Sequence, residues 1–551
     1  LGRKTRTIHL ENKMANIAVY GSHNASIVVE DKGEILLVVE VERFFNYKNS
    51  GLTQYKTVKA DFIFEFTKHL IEYVKSYTGF DSFDKCYFMN TDVIIDEVRY
   101  NIIDYIPAKE FIPCLHHRSH AANTFYQSDF EEALVFSFDG GGNDGFFNIY
   151  HATRKDSVNI LQVVLNPTQN NPHIYHDLGF PYMIFGQYLE DINWEALSDG
   201  NLVYAGKIMG LVSYGKVREE WLDHFKDFYK QEVNGLTYTQ HLADLQTKTG
   251  INFDISNRIS GQDAYDIATT SQRAFEDVFI EIAKPYFEKY PNLPICIAGG
   301  CGLNILLNTR LVEEFKKVVH VGPNPNDCGL AVGMIADHLR PQTPIDITYK
   351  GLPLLDLDTL GSHIQNFPYN LRMKQTSHSE LVTALKSGKI IGVARGRAEH
   401  GPRALGNRSI ICNPTLPDMK DVLNHKVKHR EWYRPFAPVV RLEDVSEYFE
   451  WEGDCRWMSF SPKVRKEWRE KLPSITHIDN TARVQTVTRE QNEWLYDLIT
   501  EFKKETGVGV LLNTSFNVAG KPILSTISDA FSLFQTSEMD CLLIENTYLE
   551  K

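Results

Sequence analysis

Between residues 263 and 304 the chain reads, without pause, as a long helix, a buried strand, a glycine-rich turn and a second helix. Ile267, Ala268, Ser271, Phe275, Val278 and Phe279 recur every three or four residues, the period of an amphipathic helix over 263–289. The period ends near Pro291 and gives way to the apolar run 294-PICIAGG-300, after which a helix begins near Gly302. That alternation commits the region to an α/β architecture. The same grammar recurs on either side. Residues 16–42 read as strand, turn and strand, residues 59–79 as a helix, and 86–89 and 133–138 as short strands. A helix near 379–387 and buried strands at 390–394, 508–513 and 540–546 follow. No internal repeat is visible.

The stretch 338–357 carries three prolines and no strong period, so it is the expected joint. We therefore expect two large α/β units, 16–340 and 359–551, with 341–358 as linker. Residues 1–15 are expected to be a tag or a disordered upstream remnant, with a native start at Met14. The 551 residues are 43% hydrophobic and 23% charged, which excludes a mainly disordered chain, a collagen and a disulfide mini-scaffold. The longest apolar runs, such as 35-ILLVVEV-41, are far shorter than the roughly 18 residues that cross a bilayer. Eight cysteines without a CxxC pair suit reduced, buried thiols in the cytoplasm. A net charge of −13 disfavours broad electrostatic binding to nucleic acid but leaves room for a local basic site.

In the first half, 116-HHRSH-120 places His116 and His120 four residues apart, on one face if helical, where they can share a metal ion. Asp139 follows the buried strand 133–138, at the end where α/β clefts form. Asp327 follows the loop 321-VGPNPND-327. Two imidazoles and two carboxylates suit iron, manganese or zinc better than calcium. Taken singly, each aspartate equally fits a turn or a helix cap. Two glycine-rich strand ends, 139-DGGGNDG-145 and 298-AGGCGLN-304, match neither a P-loop nor a dinucleotide fingerprint. Paired strand ends of this kind suit an actin-like or sugar-kinase-like nucleotide cleft. Its candidate contacts are Gly141, Gly142, Gly299, Gly300, Gly302 and Asn304, with Lys207 and Gly210 from 206-GKIMGLVSYG-215.

The second half gathers cations. Arg395, Arg397, Arg403 and Arg408 lie in 395-RGRAEHGPRALGNRSI-410, broken by glycine and proline; Lys426, Lys428, Arg430 and Arg434 lie in 426-KVKHREWYRPFAP-438. Forked guanidiniums recognise phosphate and carboxylate, and the interleaved glycine, proline and aromatic residues favour a pocket over a solvated face. Asn513, Thr514, Ser515 and Asn517 offer neutral donors and acceptors beside another buried strand. The stretch 477-HIDNTARVQTV-487 adds Arg483 and His477.

These motifs, in this order, resemble the NodU/CmcH family of O-carbamoyltransferases, which includes the nebramycin and cephem enzymes. The resemblance spans about residues 16–548 and rests on HHxxHAA at 116, the Asp-Gly-Gly run at 139, KIMGL at 207, AGGCGLN at 298, GPRALGNRSI at 401, KxREWYRPFAP at 428, HIDNTARVQTV at 477 and LLNTSFNVAGKPI at 511. It implies an actin-like first domain and a YrdC-like second domain. The second would form carbamoyl-adenylate from carbamoyl phosphate and ATP, the latter as its magnesium complex. The first would pass the carbamoyl group to an acceptor hydroxyl at a metal, typically iron. By resemblance His116, His120, Asp139 and Asp327 match the metal ligands. Lys428, Arg430, Ser515 and Asn517 match the donor-site signature, joined by Arg397, Arg403, Arg408, Arg434, Arg483 and Asn513. His23, in the first loop, is the acid/base or acceptor-orienting candidate. The acceptor is expected to be a small metabolite or sugar, or a hydroxymethylated pyrimidine in a nucleotide or DNA, and residues 160–260 are expected to select it. Asn480 departs from the family pattern where glycine is common, Lys521 where glutamate is common, and Val41 where an acid is usual. A tRNA threonylcarbamoyl-type enzyme and a non-enzymatic nucleotide-binding protein are the competing readings. Both lobes on one chain oppose the first, and the retained His, Asp, Lys and Arg set opposes the second.

Overall fold

In the computed structural model, the described residues are 15–53, 60–95, 98–164, 177–192, 201–230, 238–368 and 370–551. The upstream segment 1–14 lies outside them, as do 165–176, 193–200 and 231–237 of the stretch expected to select the acceptor.

The first half contains two five-stranded sheets built alike. In one, Glu34–Glu40, Ser26–Asp31, Ala15–Tyr20, Phe83–Met89 and Ala108–Pro113 lie side by side. In the other the order is Ser157–Val164, Gly145–Thr153, Glu132–Gly142, Ile295–Ala298 and Val319–His320. Each is an antiparallel meander of three strands whose first strand continues into two parallel partners. This duplicated topology is the actin-like arrangement, and it corrects the expectation of no repeat. The repeat is one of topology, masked because the crossovers differ. The helix Ala60–Thr78 precedes the fourth strand of the first sheet, whereas several helices, ending in Gly261–Lys289, precede that of the second.

Each unit ends in a helix after its fifth strand: His116–Gln127 in the first, Leu330–Leu339 in the second. The two helices touch backbone to backbone, for a Cβ on Gly333 would lie 1.9 Å from the Ser119 carbonyl oxygen. Between sheet and long helix, Phe138 packs on Phe147 and Phe279 at ring separations of 5.0 and 4.9 Å.

The second half is one eight-stranded mixed sheet, in the order Arg372–Gln375, Thr547–Glu550, Cys541–Ile544, Ile391–Ala394, Arg408–Cys412, Val510–Ser515, Ala437–Arg441 and Gln485–Val487. The expected joint forms neither helix nor strand over 340–356, but it is no free tether. Lys350 carbonyl accepts from Val38 of the first half, while Thr348, Gly351 and Leu352 bond the backbone of Ala398 and His400 in the second. Ile347 and Leu352 are buried in first-half cores. Asn480 adopts a positive φ of 67°, which explains why asparagine can stand where glycine is usual.

Candidate functional site

The centre of the first half lies where its two repeated units meet. The hairpin after the first strand of unit one carries His23; the equivalent hairpin of unit two begins at Asp139. His116 and His120 open the terminal helix of unit one, and Asp327 opens the turn leading into that of unit two. The four ligand atoms of His116, His120, Asp139 and Asp327 all lie within 4.8 Å of one another, and all four residues are buried. Asp139 Oδ2 is 3.0 Å from Nε2 of each histidine, and the two Nε2 atoms are 3.1 Å apart. Asp327 Oδ1 is 3.4 Å from His120 Nε2.

Burial alone would push both imidazoles down, but Asp139 and Asp327 more than offset it: His116 is raised, and His120 is lifted to about 9. The carboxyls pay burial in the opposite sense and are still held below the usual range, Asp327 chiefly by His23 and His116, Asp139 chiefly by His116 and His117. The cluster therefore attracts positive charge, and among the described residues no lysine or arginine pairs with its carboxylates to supply that charge. Two nitrogens facing each other between two carboxylates fit a divalent transition metal. His117, next in sequence, is excluded: one ring nitrogen meets Ser137 Oγ and the other the Gly145 carbonyl, both at 2.9 Å, and burial holds it neutral down to about 4.

The local sequence builds this arrangement. Asn143 and Asp144 of the Gly-rich hairpin accept from the backbone N–H groups of His116, His117 and Arg118, satisfying the open start of the helix that carries the ligands. Gly142 lies directly against His116; any Cβ there would sit 2.5 Å from the imidazole Cγ. Tyr20, which the sequence reading passed over, is wholly buried and donates to Asp327 Oδ2 at 2.5 Å. His23 Nε2 meets the same oxygen at 3.1 Å. One oxygen of Asp327 is thus held from behind while the other faces the histidines. Tyr20 was legible only as the last residue of a buried strand beside a polar turn.

The nucleotide candidates of the first half divide. Gly300 lies beside Asp139, a Cβ on it reaching 3.6 Å from the Asp139 Cβ, and Gly141 and Gly142 belong to the hairpin that follows Asp139. Gly299 packs on the Phe138 carbonyl and Gly302 on Pro325. Asn304 is largely engaged within the fold: its Oδ1 caps the following helix through Leu307 N–H and accepts from Gln272, and its Nδ2 donates to Gln272 Oε1. Lys207 and Gly210 face the other half: Lys207 Nζ is 2.9 Å from Glu431 Oε1, and Gly210 abuts the Tyr433 ring.

In the second half a run of π-helix, Leu423–Lys428, ends at His429 in a left-handed conformation and turns Lys428 inward. Lys428 Nζ is ringed by Ser515 Oγ at 3.1 Å, the Ser515 and Asn517 carbonyls at 2.5 and 2.7 Å and Asn517 Oδ1 at 2.5 Å. Arg430 is aimed by Asn424 Oδ1 at 2.8 Å and lies on the Phe436 ring. Burial, and then mutual repulsion, depresses Lys428, Arg403, Arg430 and Arg483. Lys428 feels Arg430 and Arg434, and Arg483 feels Arg403, Arg430 and Arg434, each ending well below its usual value; Arg403 falls to about 10. Among the described residues, no acid lies within ion-pair distance of Lys428, Arg403, Arg430 or Arg483. Five converging cations with so little internal neutralisation form an anion pocket.

Three second-half candidates stand elsewhere. Arg397 spends its guanidinium on the carbonyls of Gly351, Leu36 and Lys350. Arg408 is fully buried and bonds the carbonyls of Arg395, Gly396 and Asn407. Asn513 donates through Nδ2 to the Ala404 carbonyl and to Gln485 Oε1, while its buried Oδ1 has no partner among the described residues. All three read as pocket residues because arginine and asparagine look alike in sequence whether they hold a ligand or a backbone.

Across the seam, Arg43 pairs with Glu40 and donates to the carbonyls of Glu399 and Gly401, while Glu40 accepts from Gly401 N–H and meets His400 Nδ1. An actin-like lobe with a buried two-histidine, two-aspartate centre thus abuts an α/β lobe with a cluster of largely unneutralised cations. Models described as Carbamoyltransferase N-terminus and Carbamoyltransferase C-terminus match residues 45–336 and 382–551, and the chain belongs to the carbamoyltransferase family. It is 32% identical over 448 residues to nodulation protein NolO of Bradyrhizobium diazoefficiens, covering 78% of this chain and 77% of that one. Nodulation protein U of Rhizobium tropici is 32% identical over 366 residues, covering 62% and 61%. An uncharacterized protein of Methanocaldococcus jannaschii is 28% identical over 546 residues, covering 97% and 99%. Among solved structures, full-length HypF in its phosphate- and nucleotide-bound form matches with a TM-score of 0.35 and 15% identity, over 61% of this chain and 47% of that one.

Proposed function

We propose that the protein is an ATP-dependent O-carbamoyltransferase that activates carbamoyl phosphate in the second half and delivers the carbamoyl group to an acceptor hydroxyl in the first. The observation that carries this reading is the convergence of Lys428, Arg403, Arg430, Arg434 and Arg483 in one buried pocket. Carbamoyl phosphate is a poor donor to a neutral alcohol. Water first cleaves the phosphate from carbamoyl phosphate, giving inorganic phosphate and carbamate; a carbamate oxygen then attacks the α-phosphorus of ATP and expels pyrophosphate, which leaves adenylate, a better leaving group, on the carbamoyl carbon. Charge accumulates on phosphoryl oxygens during that exchange, and preset guanidiniums stabilise it without reorganising. Ser515 and Asn517 hold Lys428 at the site.

His116, His120, Asp139 and Asp327 would hold a divalent metal, with iron the expected ion and zinc or manganese the alternatives. When bound, such an ion polarises the carbamoyl oxygen or acidifies the acceptor hydroxyl. His23, one third exposed and anchored through Nε2 to Asp327, would orient that hydroxyl and take its proton. Gly300, where a Cβ would meet nothing closer than 3.6 Å, leaves the backbone beside Asp139 open to a nucleotide, while Gly141, Gly142 and Gly299 allow the close packing that shapes the turns around it. The acceptor is a hydroxyl-bearing metabolite or sugar, or a hydroxymethylated pyrimidine; the net charge of −13 favours a small molecule over polymeric DNA. Eight unpaired cysteines suit a reducing, cytoplasmic setting, and among the described residues no helix is long and apolar enough to cross a membrane.

The test is pyrophosphate release from ATP and carbamoyl phosphate, without acceptor, by metal-replete protein. Release that depends on both substrates is expected; its absence sinks the proposal. Screening hydroxyl compounds for a carbamoyl mass gain then finds the acceptor, and elemental analysis the metal.

A further inference from the structure

Lys207 and Glu431 form a buried ion pair across the two halves, with side-chain exposures of 6% and 4%. The second oxygen of Glu431 lies 3.5 Å from Arg434 Nη1. Among the described residues this is the one carboxylate within 4 Å of any of the five pocket cations. It therefore stands between two claims: a lysine from the first half at 2.9 Å and a pocket arginine at 3.5 Å. The surrounding contacts hold the lysine in place. Gly210, three residues along the helix Asn201–Leu211, sits so close to Tyr433 that a Cβ would lie 3.1 Å from its ring. Beyond the helix, Ser213 Oγ donates to Asp479 at 2.6 Å, and Trp432 Nε1 donates to Asp191 at 3.3 Å. The helix is thus docked on the two segments that supply Arg430, Arg434 and Arg483.

We propose that Lys207 is a positioning residue: it claims Glu431 and so keeps that carboxylate from closing fully on Arg434, which leaves the pocket more of its positive charge for a phosphate-bearing ligand. The first half thereby sets the anion affinity of the second. A carboxylate released from Lys207 needs only a side-chain rotation to close on Arg434 as a tight two-point pair, and such a pair competes directly with phosphate for the same guanidinium. The inference rests on the anion-pocket reading above.

The experiment titrates the full chain with inorganic phosphate and with ATP by calorimetry. Lys207→Met is expected to weaken both at least about tenfold, the order for one unbalanced charge a few ångströms from the ligand. Lys207→Gln, a milder variant that keeps a donor to Glu431 without the charge, is expected to fall between. The double variant Lys207→Met/Glu431→Gln, which removes both charges, is expected to regain the unsubstituted affinity. Unchanged affinity in both single variants overturns the inference. A double variant as weak as Lys207→Met also overturns it, because the lysine would then touch the anion itself. If the unsubstituted protein binds neither phosphate nor ATP, the anion-pocket reading falls first, whatever the variants do.

Discussion

Gly142→Ala tests the proposed metal centre without replacing any of its four candidate ligands. The new methyl group would lie 2.5 Å from His116 Cβ and Cγ and 2.6 Å from Cδ2. Carbon atoms in contact need about 3.5–4.0 Å, so the imidazole must retreat by about 1 Å. The backbone offers little relief, since the helix start is pinned by Asn143 Oδ1 on His116 N–H at 2.9 Å. Nor is the conformation at 142 itself a source of strain, for its φ is not positive. The displaced ring loses its place beside Asp139 Oδ2, now 3.0 Å away. Metal affinity should fall about 10–100-fold, the usual cost of disturbing what orients a ligand, and carbamoyl transfer about 100-fold, as for a 1 Å misplacement of reacting groups. The pocket around Lys428 contains none of these atoms, so acceptor-independent pyrophosphate release should stay at the unsubstituted rate. The assay pairs metal content after dialysis against a competing chelator with pyrophosphate release on the same preparation. Full metal retention would refute the steric reasoning. A parallel loss of pyrophosphate release would refute the separation of the two sites.

Lys428→Ala should cut pyrophosphate release at least about 100-fold, the scale of losing a charge aimed at a developing anion, while His120→Ala spares release and blocks transfer; the reverse pattern would exchange the roles of the halves. Tyr20→Phe removes the 2.5 Å bond to Asp327 Oδ2 and leaves His23 alone behind that carboxylate. Metal affinity by chelator competition should weaken about tenfold; an unchanged value would make Tyr20 mere packing. His320 is held down to about 3 by burial and then by Arg456 and Arg154. Between that value and about 6.5 the unfolded chain takes a proton that the folded chain refuses, so this contribution to stability is present above pH 6.5 and is lost as pH falls. From pH 8 to pH 5, denaturant unfolding should show the native chain losing about 2 kcal/mol more than His320→Phe; equal losses would contradict the assignment.

The α/β grammar and the four residues of the centre were legible from local signals: HxxxH on a helix, an acid at the end of a buried strand for Asp139, and an acid between a proline-rich loop and a helix for Asp327. The cation pocket was legible as composition but not as membership. Arg403, Arg430 and Arg483 enter it, whereas Arg397 and Arg408, equally placed in sequence, are consumed by backbone carbonyls. Which arginine meets a ligand is decided by strand pairing: Arg408 begins a central strand, and its side chain closes over the loop before it. Glu431 could have been singled out as the lone acid amid Lys426, Lys428, Arg430 and Arg434, but its partner is 224 residues away, and no spacing rule joins them. The duplicated sheet escaped for a related reason. Topology is conserved by hydrogen-bonding order, which imposes only a period of two on each strand and no shared residues.

The two sites also share one physical contact. Gly401 adopts a φ of 105°, and a Cβ there would lie 2.1 Å from the Pro323 carbonyl oxygen, so the backbones of the two halves meet at that point with no side chain between them. Arg403 of the anion pocket is two residues along one strand of this contact, and Asp327 of the metal centre is four residues along the other. Glu40 and Arg43 clamp the same glycine from below through its N–H and its carbonyl. A shift of the loop that carries Arg403 cannot be absorbed locally, because the packed carbonyl passes it to the loop that carries Asp327. The glycine in GPRALGN is therefore required by the approach of the two lobes, and the reading that assigned that motif wholly to anion binding assigned it too little.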